Sequence, residues 1–398
     1  MNTLRKQLPA RSPLPFRAAI AGLALRDVRA QLSNILESEF PDRRAFLTDS
    51  GTSALQLALA ISQRRRVGPV ALPAFGCFDL ATATIGAGVR VRLYDIEPQT
   101  LQPDLDSFAA AVGTDASAAV VVHHFGIPVA LDIVSQIVRK SDTLLVEDAA
   151  QGGGASMSGR SLGGFADMGI LSFGRGKGWT AGGGGALLAA PSVGDWAITT
   201  WNSVRESAAS ALVLTLKNLA QWLLAHPSVY RLPSSLPFLR LGETIFHPPR
   251  APRRMHVAAG RTLARTRAAH LAELHVRHRN ARRLDASLER FAPEARVRPP
   301  SHATPGWLRL PAILPESVRP DPKAAARLGV MPSYPISLAE LVELQDHLIY
   351  DRKPPALTGA TALAKRLWTL PTHGALAPSD LDALEAWIVE TLQTSKQR

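Results

Sequence analysis

The chain has 398 residues, of which 46% are hydrophobic and 20% are charged, and its formal net charge is +12. A chain of this length is too long for one simple hydrophobic core and suits a large domain with a smaller one. The composition excludes an intrinsically disordered chain. The single cysteine, Cys77, excludes an intrachain disulfide framework and an all-cysteine metal site, and it fits a reducing cytoplasm.

The positive charge comes from 37 arginines and only 8 lysines. The cations are scattered, with neither zinc-finger spacing nor an aromatic-studded basic ribbon, so we predict no nucleic-acid partner and no metal site. Anionic small substrates or an anionic membrane surface account for the charge equally well, as does a general preference for arginine. Residues 1–16 contain no sustained apolar run, and we expect no signal peptide.

Taken in chain order, the apolar periodicity predicts a helix over residues 17–40 and then, to about residue 190, short apolar runs that alternate with helical stretches. This alternation predicts an α/β fold with a mostly parallel sheet. The predicted strands are Val70–Leu72, Val89–Leu93, Ala119–Val122, Leu144–Val146, Met168–Ser172 and Ala186–Ala189, and helices are predicted at Leu105–Val112 and Leu131–Val138. Ligands of such sheets lie at the carboxyl ends of strands, where His123, Asp148 and Ser172 fall.

One lysine, Lys177, stands in a glycine-dense turn, and Asp148 follows a buried strand about 30 residues upstream. A lysine that can attack an aldehyde and a carboxylate that can keep a pyridine nitrogen protonated are the minimum equipment for pyridoxal 5'-phosphate (PLP) chemistry. Because arginine is the usual cation of this chain and cannot act as a Schiff-base amine, a lysine in this turn favours a chemical role. A solvated loop lysine is the competing interpretation. The pair therefore indicates a PLP site.

Two further features favour a phosphate-binding cleft. The Ser50-Gly51-Thr52-Ser53 turn begins a helix-like run, and such a turn offers backbone N–H groups and hydroxyls to a phosphate, although an ordinary Ser/Thr helix cap has the same sequence. Glycine is dense as well, because 14 of the 29 glycines lie between Gly152 and Gly185. Glycine lets the backbone approach a ligand closely.

In this order, several motifs together resemble the DegT/StrS-type sugar aminotransferases, which are PLP enzymes of the aspartate aminotransferase fold. The motifs are Ser50 to Leu55, Leu72 to Phe75, Gly86 to Gly88 with Tyr94 to Pro98, Val122 to Gly126, Glu147 to Gln151, Ser172-Phe173 with Lys177, and Gly182 to Gly185. The resemblance is dense over residues 45–190 and looser in the C-terminal third.

The resemblance implies a three-layer large domain with a mostly parallel sheet and a smaller α+β C-terminal domain. We predict the large domain over residues 1–255, with an insert at about 191–255, and the small domain over residues 256–398. Lys177 and Asp148 are the predicted catalytic residues. The predicted cofactor-binding residues are Gly51, Thr52, Phe78, Asp148, Gln151, Ser172 and Lys177, with Gln151 at the family position that contacts the phenolic oxygen of the ring.

The chain departs from the family at three places. The position that usually stacks an aromatic ring on the cofactor is Cys77, so either a sulfur contact replaces the ring or Phe78 moves in. The residues after Lys177 are Gly178-Trp179 and then plain glycines. The motif near residues 254–259 is reduced. Cofactor binding is therefore expected to persist while substrate recognition diverges.

The insert contains an apolar helix, Ala208 to Ala225, which is shorter than the ~20 apolar residues of a membrane span. We expect it to be buried or to form a dimer interface, with weak membrane-surface contact as the alternative. The proline-rich residues 227–252 are predicted to be irregular. Beyond them we predict a long helix at Ala258–Leu288, a strand at Trp307–Leu310, a helix at Ile336–Leu348, a late strand near Leu367 and a final helix at about Ser379–Leu392.

The leading functional hypothesis is a cytoplasmic, homodimeric aminotransferase that moves an amino group from an amino acid to a keto-sugar nucleotide, for polysaccharide or glycoconjugate synthesis. A PLP enzyme that does not transaminate, such as a dehydratase or lyase, is the first alternative. Family dehydratases typically replace the lysine by histidine, so Lys177 opposes that variant. The second alternative is a non-catalytic, membrane-associated assembly protein.

Overall fold

The structure is a computed structural model that describes residues 6–226, 228–230, 244–350 and 355–393. Its strands are β1 (Arg44–Thr48), β2 (Val70–Pro73), β3 (Val91–Tyr94), β4 (Ala118–Val122), β5 (Leu144–Asp148), β6 (Ser156–Met157), β7 (Arg160–Ser161), β8 (Met168–Ser172), β9 (Gly185–Ala189), β10 (Ala303–Thr304), β11 (Leu310–Ile313), β12 (Met331–Pro332) and β13 (Leu367–Leu370). Its α-helices are α1 (Phe16–Ala19), α2 (Arg29–Glu39), α3 (Gly51–Arg65), α4 (Asp79–Ala87), α5 (Leu105–Val112), α6 (Leu131–Lys140), α7 (Gly194–Asn202), α8 (Ala211–Leu224), α9 (Val257–Phe291), α10 (Pro322–Arg327), α11 (Thr358–Arg366) and α12 (Pro378–Ile388).

The main sheet of the described chain has seven strands in the order β1-β9-β8-β5-β4-β2-β3. The five strands from β8 to β3 run parallel, and β9 lies antiparallel to both β8 and β1. Every residue of β2, β4, β5 and β9 is buried, so both faces of the sheet are covered. The predicted three-layer α/β fold is confirmed.

A smaller antiparallel sheet, in the order β11-β13-β12, forms in the C-terminal part of the chain. The 35-residue helix α9 precedes it and is about 52 Å long at 1.5 Å per residue. Asn280 of α9 donates to the carbonyl of Thr372 (3.0 Å), and Glu273 accepts from the N–H of Gly374 (2.7 Å). These bonds fix the helix against the turn that follows β13. The predicted division between residues 255 and 256 stays a prediction.

The predicted helix over residues 17–40 is wrong, because the segment forms α1, a 3-10 turn at Ala21–Leu23 and then α2. The reason is tertiary: Arg261 donates to the carbonyls of Gly22, Leu25 and Arg26, which would otherwise serve a continuous helix.

The predicted helix at 336–348 is wrong too, since this segment forms two 3-10 turns, Leu338–Glu340 and Val342–His347. Ser337 caps the first of these turns. The N–H of Leu338 donates to the carbonyl of Ala74 (2.7 Å), the residue after β2, and this bond holds the turn against the large sheet. Strand β11 begins three residues after the predicted start, and β1 was not among the predicted strands. Part of the predicted irregular segment 227–252 lies outside the described residues.

Candidate active site

A cavity lies at the carboxyl ends of β5 and β8, beside the start of α3. This is where a parallel sheet presents its ligand site. Six of the seven residues predicted from the sequence to bind the cofactor line it: Gly51, Thr52, Asp148, Gln151, Ser172 and Lys177. The fold therefore brings together residues that are up to 126 positions apart in the chain.

The first wall of the cavity is the N-terminus of α3. Ser50 caps this helix, and its hydroxyl accepts a hydrogen bond from the N–H of Ser53 (3.0 Å). A Cβ on Gly51 would lie 2.8 Å from the Cβ of Ser172, so only glycine lets the helix start approach the end of β8 this closely. The positive end of the helix dipole and the Ser172 hydroxyl thus face the same space, which suits a phosphate.

Asp148 ends β5 and is buried, with Oδ1 accepting from the N–H of Ala150 (2.9 Å). Burial raises the pKa of its carboxyl group, and this effect outweighs the opposing influence of the Ala150 N–H and the Lys177 ammonium. A buried carboxylate of this kind is stabilised by a cation placed against it. The N–H of a protonated pyridine is such a group.

The backbone of Lys177 is tied to the N-terminal segment. The hydroxyl of Ser12, which is buried, donates to the Lys177 carbonyl (2.7 Å), and the Lys177 N–H reaches the carbonyl of Gly174 (3.4 Å). Gly176 has φ +74°, a backbone conformation that favours glycine, so the turn before the lysine depends on this residue. Ser12 was not identified from the sequence because its contact spans 165 positions.

Gln151 is oriented by two neighbours. Its Oε1 accepts from the N–H of Phe125 (2.9 Å), and its Nε2 donates to the hydroxyl of Tyr334 (2.7 Å). Because a backbone N–H only donates, the amide oxygen must face Phe125, and the second Nε2 hydrogen remains for another acceptor. Tyr334 lines the cavity, yet it lies in the C-terminal part of the chain, where the sequence carried no signal for it.

Cys77, and not Phe78, is found among the residues that line the cavity. Phe78 is buried at the start of α4, so its predicted contact with the cofactor stays a prediction. The Cys77 thiol donates to Asp79 (3.5 Å). Burial, assisted by the Asp79 carboxylate, raises the pKa of the thiol to about 12, which keeps it neutral beside Lys177.

An arginine that no sequence motif indicated, Arg309, interacts electrostatically with residues that line the cavity. Burial lowers the pKa of its guanidinium, and the groups that oppose this effect are Tyr334, Tyr230 and Cys77, in that order. Two of these three line the cavity. Arg309 is half-buried and has no hydrogen bond or ion pair with any residue that the structure describes.

His123 follows β4 as predicted, but it does not reach the cavity. It is fully buried, its Nδ1 accepts from the N–H of Val129 (2.9 Å), and its Nε2 lies 3.0 Å from Oε1 of Glu147. The Val129 bond leaves Nε2 as the protonated nitrogen, so it donates to Glu147. This histidine supports the strand ends rather than a ligand.

Residues 36–192 match the model of the DegT/DnrJ/EryC1/StrS aminotransferase family. The family resemblance predicted from the motifs is therefore confirmed for this part of the chain. A dTDP-4-dehydro-2,3,6-trideoxy-D-glucose 4-aminotransferase of Saccharopolyspora spinosa is 31% identical over 150 residues, which cover 38% of this chain and 39% of that protein.

A UDP-N-acetyl-3-dehydro-alpha-D-glucosamine 3-aminotransferase of Acidithiobacillus ferrooxidans is 30% identical over 142 residues, which cover 35% of this chain and 38% of that protein. The matched segment thus spans about two fifths of each of these relatives.

Solved structures resemble the whole fold. The sugar aminotransferase CalS13 from Micromonospora echinospora has a TM-score of 0.74 at 21% identity, covering 98% of this chain and 100% of that one. A GDP-4-keto-6-deoxy-D-mannose-3-dehydratase of E. coli with bound hydrated PLP has a TM-score of 0.73 at 17% identity, covering 96% and 99%. At these identities the likeness shows the aspartate aminotransferase-like fold.

Proposed function

We propose that this protein is a PLP-dependent aminotransferase that transfers an amino group from an amino acid to a keto-sugar nucleotide. The observation that carries the proposal is that Lys177, Asp148, Gly51 and Ser172 line one cavity at the carboxyl ends of β5 and β8. The names of the relatives from S. spinosa and A. ferrooxidans support a sugar-nucleotide substrate.

The residues present fit the cofactor. Gly51 leaves the helix start open for a phosphate, with the Ser172 hydroxyl beside it, and the raised pKa of Asp148 marks a carboxylate that a pyridinium N–H would stabilise. PLP supplies an aldehyde that an amine can attack and a ring that withdraws electrons from bonds next to it. Gln151 would offer its remaining N–H to the ring's phenolic oxygen.

Lys177 has two roles in this proposal. Its amine would hold the cofactor covalently in the resting enzyme, and once the amino donor displaces it, the free amine would accept the proton of the donor carbon that bears nitrogen. The neutral Cys77 thiol beside it neither competes as a nucleophile nor adds a negative charge.

A homodimer, a cytoplasmic location and a role in polysaccharide or glycoconjugate synthesis belong to the same proposal. The single cysteine supports the location. The dehydratase alternative is represented among similar structures, but Lys177 favours transamination. Product analysis separates the two reactions, because an aminotransferase yields one keto acid from its donor for each amino sugar formed.

The proposed cofactor attachment predicts that borohydride reduction fixes one PLP to Lys177 in the wild type and none in Lys177→Ala, as read by intact mass and peptide mapping. Lys140→Ala, which changes an exposed lysine, is the matched control and should be labelled like the wild type. Label at another lysine in the wild type would contradict the assignment.

A second substitution tests the role of Asp148. Asp148→Asn should still bind PLP, but its single-turnover rate with an amino donor should fall by about 10²-fold or more, because the neutral amide cannot stabilise the ring proton. The rate is measured by the loss of the cofactor's visible absorbance. A variant that reacts as fast as the wild type would show that Asp148 has no such role.

A further inference from the structure

Helix α8 buries two polar side chains against the protein and exposes five large apolar side chains, while Leu219 packs on the N-terminal segment. Its buried residues are Thr215 and Asn218. The Asn218 amide donates to Thr262 of α9 (3.2 Å) and to the carbonyl of Ala181 (3.4 Å), so polar contacts hold the inner face. This arrangement reverses the pattern of an ordinary surface helix. Within the described chain the helix is not buried, and the dimer interface, its other predicted setting, stays a prediction.

The outer face of α8 is a continuous apolar stripe. Leu212, Val213, Leu216 and Leu223 are all exposed, with Leu216 at 55%, and they recur at the spacing of one helix face. Trp222 is exposed next to them. A helix with this much apolar surface toward the outside marks a contact with another apolar phase.

The N-terminal turn extends the stripe. The ring of Phe16 lies 5.1 Å from that of Trp222, and a Cβ on Gly22 would lie 2.4 Å from the Thr215 hydroxyl, so the turn packs directly on α8. Leu23 and Leu25 are exposed here, and Leu25 reaches 96%. We call the exposed apolar side chains of residues 16–25 and of α8 the α8 surface.

The backbone beneath Leu25 is held in place. Arg261 of α9 donates three bonds, to the carbonyls of Arg26 (2.7 Å), Leu25 (2.8 Å) and Gly22 (2.9 Å). Because three charge-assisted hydrogen bonds hold this turn, the outward position of Leu25 is a fixed part of the fold.

Every ionic side chain of residues 16–26 and of α8, around the α8 surface, is a cation. Arg17, Arg26 and Lys217 are exposed, and neither residues 16–26 nor α8 contain an acidic residue. The neighbouring acids, Asp27 and Glu206, both pair with Arg29. The surface therefore combines apolar side chains, an aromatic pair and a cationic rim, which is the composition of a helix that lies in the headgroup region of an anionic membrane.

We propose that the α8 surface docks the protein on an anionic lipid bilayer. With 14 residues, α8 is about 21 Å long, less than the ~30 Å of the hydrocarbon core, so it would lie along the interface. A second copy of this chain suits the surface less well, because a two-fold contact would set Arg17, Arg26 and Lys217 against the same cations without any acid between them. Anionic headgroups meet that charge directly.

The test is vesicle co-sedimentation of the full-length, PLP-loaded protein. We expect sedimentation with vesicles of phosphatidylglycerol and phosphatidylcholine, weaker sedimentation with phosphatidylcholine alone, and loss of binding when salt rises from about 0.1 M to about 0.5 M. The triple variant Leu212→Ser, Leu216→Ser, Leu223→Ser should bind the anionic vesicles roughly tenfold or more weakly, since it removes exposed apolar contacts only.

The matched control is Val67→Ser, which changes a side chain that is 85% exposed and follows three arginines. It should bind vesicles as the wild type does. Wild-type protein that stays in the supernatant with both kinds of vesicle would overturn the proposal, as would a triple variant that still binds. A change from dimer to monomer in the triple variant by light scattering would also overturn it, because the surface would then be a protein interface.

Discussion

At the scale of single residues, the cavity combines groups that the chain keeps far apart. Folding adds two residues to those that the sequence indicated. Ser12 of the N-terminal segment bonds the carbonyl of Lys177, and Tyr334 of the C-terminal part bonds the amide of Gln151. Gln151 links the two halves, because its amide bonds both Phe125 and Tyr334. The chemistry of the proposed site is thus carried by the large sheet, while its closure depends on the rest of the chain.

Arg309 is the residue through which we expect this chain to select its substrate. Arg309→Gln should raise the KM for an anionic sugar nucleotide by about tenfold, because a neutral amide cannot make the charge-assisted bonds of a guanidinium to an anion. PLP binding should stay unchanged, since Arg309 is not among the residues that line the cavity. Steady-state kinetics measure the change.

Arg139→Gln is the control, because it changes an exposed arginine at the end of α6. This end of α6 leads into the first residue of β5, whereas the cavity lies at the last residue of that strand. Equal KM values for Arg309→Gln and the wild type would exclude Arg309 from substrate binding.

At the scale of elements, the ends of β4 and β5 are held by one buried carboxylate. Glu147 accepts from the N–H groups of Gly163 (2.5 Å) and Phe165 (2.8 Å) as well as from His123. Burial alone would raise its pKa, but the His123 and backbone donors together hold it below its usual value. A carboxylate with this many donors fixes the 163–165 turn to the strand that carries Asp148.

We expect Glu147→Gln to lower the free energy of unfolding by about 2–4 kcal/mol, because one acceptor oxygen becomes an NH₂ group that faces N–H donors. Urea unfolding measures this loss. Glu37→Gln is the comparison, since Glu37 is half-buried and accepts a single bond from the N–H of Ala45 (3.1 Å); it should cost about 1 kcal/mol or less. Equal losses in the two variants would contradict a special role for Glu147.

At the scale of the whole molecule, three buried histidines join distant parts of the chain. Burial is the main cause that lowers the pKa of His124 to about 3 and those of His270 and His373 to about 4. His373 bonds the carbonyl of Leu8 (2.8 Å), and His270 stacks at 6.4 Å from Trp179. All three are therefore neutral in the folded protein and gain a proton on unfolding below pH about 6.5.

This difference predicts a loss of stability in mild acid. The contribution of the three histidines is fully present above pH 6.5 and is lost as the pH falls toward 4, because the unfolded chain binds more protons. Each histidine contributes a slope of about 1.4 kcal/mol per pH unit in this range. Urea midpoints measured from pH 7 to pH 5 check the prediction. His124→Leu should make the dependence shallower, and a flat profile in the wild type would refute it.

The sequence by itself determined the parallel sheet, and six of the seven residues that it predicts to bind the cofactor line one cavity at the carboxyl ends of the strands, since these features follow from local signals. Apolar runs define buried strands, and Gly51, Asp148, Ser172 and Lys177 stand next to their ends. Helix α5 lies at the predicted Leu105–Val112 for the same reason, because its periodicity and its Asp104 cap are local.

Only the tertiary structure decided the features that depend on long-range contacts. The helix predicted over 17–40 is interrupted because Arg261 bonds three of its carbonyls, and the composition of that segment contains no trace of this partner. Tyr334 reaches the cavity through the packing of the C-terminal part. The orientation of α8 has the same origin: its sequence shows an apolar helix, but only the hydrogen bonds of Asn218 to α9 and Ala181 determine that the apolar side faces outward.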